Sequence, residues 1–100
     1  MNKAIIISGN LAQDHEFIYP YYRLIEEGFK VDVCLLEGKP VQGILGTKIP
    51  PNKDQTVKKI DEVSVSDYKI LVLPGGVKAM EKVRQEKKII NFVSEFNKTQ

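Results

Sequence analysis

The sequence has one cysteine, Cys34, and one histidine, His15. A single thiol cannot close an internal disulfide, and one thiol with one imidazole cannot cage a metal ion. Long hydrophobic runs are missing too. No stretch of the ~20 apolar residues needed to cross a bilayer occurs. The apolar run after Met1 is shorter than the ~7–15-residue core of a secretory signal. These absences give the expectation of a cytoplasmic protein without a membrane partner. Charge of one sign is equally scarce: 15 Lys and Arg against 13 Asp and Glu leave a net charge of +2. The lysines are scattered, so the basic face with interleaved aromatics that marks a nucleic-acid binder is absent, and no nucleic-acid partner is expected.

What remains is an ordinary globular composition, 42% hydrophobic and 28% charged. The 100 residues fit one small α/β domain. Ala4-Ile5-Ile6-Ile7 reads as a strand buried on both faces, as in a parallel sheet covered by helices. After Ser8-Gly9-Asn10, Asp14 is placed as the N-cap of a helix reaching Glu27, with Phe17, Tyr21, Leu24 and Ile25 on one face. Pro20 is expected near its first turn or at a kink, and Gly28 at its end. Val31 to Leu36 gives a second strand. Residues 37–51, rich in Gly and Pro, read as a hairpin excursion. In residues 52–67, Ile60 and Val63 anchor a short connection. Ile70-Leu71-Val72-Leu73 is a third buried strand, cut off by Pro74-Gly75-Gly76. A helix through Ala79, Met80 and Val83 follows, then another from about Glu86 carrying Ile89, Phe92, Val93 and Phe96.

The expected fold is therefore α/β, a flavodoxin-like parallel sheet with flanking helices, and it is incomplete. In such a sheet the first strand lies between the second and third. The last amphipathic helix should feed a further parallel strand, and none remains. The third strand is then an apolar edge without the usual protections.

Ligands in open α/β sheets bind beyond the carboxyl ends of the strands. Two features lie there. Gly75 and Gly76 are either an anion or oxyanion site made of backbone N–H groups, or a tight turn that needs glycine. Asp14-His15-Glu16 either places Glu16 as a functional carboxylate, buried at that edge, or supplies two acids that suit a helix amino terminus. His15 reads as a solvent-facing residue. Cys34, in the middle of an apolar strand, reads as a buried small hydrophobe and not as a nucleophile. Tyr19 and Arg23 fall on the outer side of the first helix, as a contact surface or as ordinary surface residues.

At these residues the sequence resembles the PfpI/ThiJ family, the intracellular-protease-like group related to class I glutamine amidotransferase domains. The matching pieces are Asp14-His15-Glu16-Phe17-Ile18-Tyr19-Pro20-Tyr21-Tyr22-Arg23-Leu24, Glu26 to Val31, and Ile70-Leu71-Val72-Leu73-Pro74-Gly75-Gly76. The resemblance runs along nearly the whole chain but covers only the amino-terminal part of a usual family domain, so residues 1–100 are identified as that part. It implies a cysteine-dependent site without cofactor or metal. Glu16 matches the glutamate that hydrogen-bonds the catalytic thiol, and Gly75 or Gly76 the oxyanion donor. The cysteine elbow would lie on the next strand, so the nucleophile has no counterpart here. Family activities include peptidase or amidase action and glyoxalase or deglycase action on 2-oxoaldehydes, and members commonly oligomerise. The chain is thus expected to be inactive by itself and to partner a second copy or the remaining carboxy-terminal part. The alternatives are a non-catalytic oligomerising interaction module and a small flavodoxin-like binding domain. No Gly-x-Gly-x-x-Gly motif supports the last.

Overall fold

A computed structural model of the protein describes residues 2–9, 14–43, 45–52, 54–73 and 87–99. Four strands form a parallel sheet in the order β5-β2-β1-β6: β1 (Lys3–Ser8), β2 (Lys30–Leu35), β5 (Val57–Lys58) and β6 (Ile70–Val72). The first strand lies between the second and the Ile70 strand, as a doubly wound sheet requires. The parallel sheet, flanking helices and central β1 agree with the fold class expected from sequence.

β1 is central because its residues suit no other place. Ala4, Ile5, Ile6 and Ile7 are all fully buried. Ile6 packs with Phe17 and Tyr21 of helix α1 (Asp14–Glu26) and with Val31, Val33 and Leu35. Ile5 and Ile7 face the other way, onto Cys34, Tyr68 and the Ile89, Phe92 and Phe96 face of helix α2 (Lys87–Thr99). The period of two in the strand thus separates two apolar layers. β6, expected to be buried, is only half-buried along its whole length.

α1 ends in a Schellman arrangement. The Gly28 N–H is donated to the Ile25 carbonyl and the Phe29 N–H to the Leu24 carbonyl, both at 3.0 Å, with Gly28 at φ +89°. Pro20 sits in the second turn, where it has no N–H to give the Glu16 carbonyl; the helix nevertheless runs through it unbroken. The excursion after β2 is a hairpin of β3 (Val41–Gln42) and β4 (Lys48–Ile49), and Ile49 is buried in the α1 layer. The connection that Ile60 and Val63 anchor consists of two 3-10 turns, Ile60–Glu62 and Val65–Asp67. Residues 79, 80 and 83, where a helix was expected, lie outside the described residues.

One buried carboxylate ties the strands to this connection. Asp32, 4% exposed on β2, accepts a hydrogen bond from the Tyr68 hydroxyl at 2.7 Å, with Lys3 and Lys58 ammonium groups at 3.4 Å. Burial pushes Asp32 upward, but the Tyr68 hydroxyl and the two lysines outweigh it and hold the carboxyl below its ordinary value. Burial and the Asp32 carboxylate raise Tyr68 in turn. Replacing Tyr68 by Phe leaves the carboxylate without its shortest partner. Urea unfolding of Tyr68→Phe should show a loss of about 1–3 kcal/mol; unchanged stability would mean that the lysines alone satisfy Asp32.

Candidate functional site at the carboxyl edge of the sheet

β1 ends at Ser8, β2 at Leu35 and β6 at Val72, all on one edge, and α1 opens at Asp14 after β1. The amino-terminal turn of α1 is therefore at the edge where parallel α/β sheets bind ligands. Three groups stand there.

Asp14 was expected to cap α1. It is instead a residue of the helix, 1% exposed, and its carboxylate reaches a different element. Oδ1 accepts the Leu45 N–H at 2.8 Å and Oδ2 the Thr47 N–H at 2.9 Å. The carboxylate is a clasp that fixes the β3–β4 turn against the start of α1. The Leu45 N–H foremost, then the Thr47 hydroxyl, hold Asp14 below the usual carboxylate value. The turn closes on itself through the Gly43 N–H to the Thr47 carbonyl at 2.8 Å and the Gly46 N–H to the Gly43 carbonyl at 3.0 Å. Gly43 has no room for a side chain, because a Cβ there would lie 2.5 Å from three atoms of the Asp14 carboxyl.

Glu16, two residues on, is exposed, as is His15. The expectation of a buried Glu16 is corrected: Asp14 turns inward to the hairpin, and Glu16 stands outward on the same helical turn. Gly75 and Gly76 lie outside the described residues. Ser8, which sequence reasoning passed over, brings a third polar group. It is 1% exposed, and among the described residues its hydroxyl has no hydrogen-bond partner. Only its position at the end of an apolar strand could have signalled it.

Cys34 is poorly placed for a nucleophile. It pairs with Ile7 inside the α2 layer and is 1% exposed. Burial, with a contribution from the Glu62 charge, pushes its thiol up to about 12, so the thiolate is scarce at neutral pH. Among the described residues no group of three or more His, Cys, Asp or Glu side chains could hold a metal ion.

Residues 2–100 match the DJ-1/PfpI family. The chain belongs to that family. It is 39% identical over 90 residues to the deglycase PfpI of Pyrococcus furiosus, a match covering 90% of this chain and 51% of the relative. A deglycase of Pyrococcus horikoshii is 36% identical over 90 residues, again 51% of its length. The fold of a DJ-1/ThiJ/PfpI-like and ferritin-like two-domain protein from Anabaena variabilis superposes with a TM-score of 0.85 at 27% identity, covering 99% of this chain and 27% of that one. Oxidised Toxoplasma gondii DJ-1 superposes with a TM-score of 0.81 at 18% identity over 95% of this chain and 50% of its own, a likeness of fold. The chain thus spans about half the length of the curated relatives it matches.

The Asp14 clasp has a pH signature. A carboxyl whose folded value is depressed stabilises the fold above its unfolded value, about 3.9, and that stability is lost as the pH falls through the folded value. Asp32 acts in the same direction. In urea titrations between pH 6 and pH 2, Asp14→Asn should weaken the acid-dependent loss of stability without abolishing it, since Asp32 remains. An acid profile identical to that of the unaltered protein would contradict the clasp.

Proposed function

We propose that this chain supplies the amino-terminal part of a cysteine-dependent hydrolase or deglycase-type site and is inactive by itself. The observation that carries the reading is the place of Glu16: exposed on the first turn of α1, at the carboxyl edge beyond the central strand. The relatives named deglycases, at 36–39% identity, support it. In this reading Glu16 is the orienting carboxylate for a thiol supplied by the rest of the domain. The Gly75 and Gly76 N–H groups, assigned from sequence position, stabilise the charge that develops on a substrate carbonyl oxygen when the thiolate adds to its carbon. A 2-oxoaldehyde adduct is the substrate class that fits the relatives' name. Cytoplasmic placement belongs to the same proposal.

The proposed inactivity has a physical reason. An orienting carboxylate and an oxyanion donor accelerate nothing without a nucleophile, and the one cysteine of the chain is buried, where burial pushes its thiol up and disfavours the thiolate. A second reading, a non-catalytic oligomerising module, draws on the outer face of α1, where Tyr19 is 71% and Tyr22 43% exposed.

The test is an assay of the purified chain on a 2-oxoaldehyde-modified peptide. Turnover should equal the buffer rate, and Cys34→Ser should change nothing. Thiol-dependent turnover that Cys34→Ser abolishes would overturn the proposal. When the chain is joined to the missing half of a family domain, activity should appear, and Glu16→Gln should lower kcat by roughly 10²-fold or more.

A further inference from the structure

β2 is unevenly covered along its outer side. At its start the Lys30 N–H is donated to the Asn2 carbonyl at 2.9 Å, and just past its end the Leu36 N–H is donated to the Ser8 carbonyl at 3.1 Å. Backbone groups alternate in direction along a strand, so Val31, Val33 and Leu35 turn theirs away from β1, toward β5. β5 begins only opposite Val33. The amino half of β2 therefore runs past the end of its neighbour and borders a notch. The Val31 carbonyl accepts the Gln55 side-chain amide there at 3.1 Å. The Val31 N–H points the same way, and among the described residues no strand lies opposite to accept it.

The notch opens into a cavity of about 540 Å³, a size within the ~300–1,000 Å³ of small-molecule sites. Its walls differ in kind. Ile25, 41% exposed, and the half-buried Phe29 make an apolar side. Lys30 and Asp54 bring opposite charges to the same cavity. Both are exposed, and among the described residues neither is in an ion pair. Lys58 lines the cavity too, but Asp32 already holds its ammonium at 3.4 Å.

We propose that this notch binds a zwitterionic amino acid with an apolar side chain. The ligand carboxylate accepts the Val31 N–H beside the Lys30 ammonium, its own ammonium meets the Asp54 carboxylate, and its side chain rests on Ile25 and Phe29. Two observations choose this ligand. An added peptide strand would bring an N–H to the Val31 carbonyl, where the Gln55 amide already sits. A lone donor instead suits a group that only accepts, and a carboxylate is such a group. Opposite charges on one cavity, neither of them paired, suit a ligand carrying both signs; a simple anion would be opposed by Asp54 and a simple cation by Lys30. The site lies on the β5 side of the sheet and uses neither Asp14 nor Glu16.

The experiment titrates the nitrogen-labelled chain with L-leucine and follows the amide resonances. The Val31 resonance should shift and saturate in the millimolar range. Isoamylamine, which lacks the carboxylate, should bind roughly tenfold more weakly or worse. Isocaproate, which lacks the ammonium, should lose roughly threefold. Lys30→Met and Asp54→Asn, both at exposed sites that leave the fold intact, should each weaken L-leucine roughly threefold, and Glu95→Gln on α2 should change nothing. Asp54→Asn should not weaken isocaproate, which has no charge to meet that carboxylate. No saturable Val31 shift up to the solubility of L-leucine overturns the site. So does isoamylamine that binds as tightly as L-leucine, or an L-leucine affinity that both substitutions leave unchanged.

Discussion

The burial of β1 on both faces is the constraint from which the rest follows. Four consecutive residues, Ala4 to Ile7, have no contact with solvent. A strand in that condition must have a layer on each side and a neighbour on each edge. α1 and the β3–β4 hairpin provide one layer, α2 and the 3-10 connection the other. β2 and β6 provide the neighbours. The carboxyl edge, where α1 begins, is then fixed in space by the strand least able to move.

This arrangement was legible where a long periodic or apolar run announced it. β1, β2, both faces of α1 and the apolar face of α2 all carry such runs. β5 was not legible, because Val57-Lys58 is too short to show a period, and its pairing with Val33 and Cys34 is a long-range event. The Asp32 network was invisible for the same reason: Tyr68 lies 36 residues away in sequence. Tyr21 is similar, its hydroxyl donating to Gln55 at 2.7 Å while the Gln55 amide donates to the Val31 carbonyl.

The candidate site was half legible. Sequence position placed Asp14 and Glu16 in the first turn of α1, beyond the end of β1, and the structure has both there. It could not say which of the two would turn inward. Helix-capping preference assigned Asp14 a local partner, whereas the structure gives it the Leu45 and Thr47 amides, more than thirty residues on. A carboxylate that accepts two backbone N–H groups there leaves its neighbour two positions along free to face outward.

That clasp also links two positions. The space beside the backbone of residue 43 is filled by the carboxyl of residue 14, so a change at one is felt at the other. A methyl group at 43 would press on that carboxyl and push it off the Leu45 and Thr47 amides, so the hairpin would lose its tie to α1.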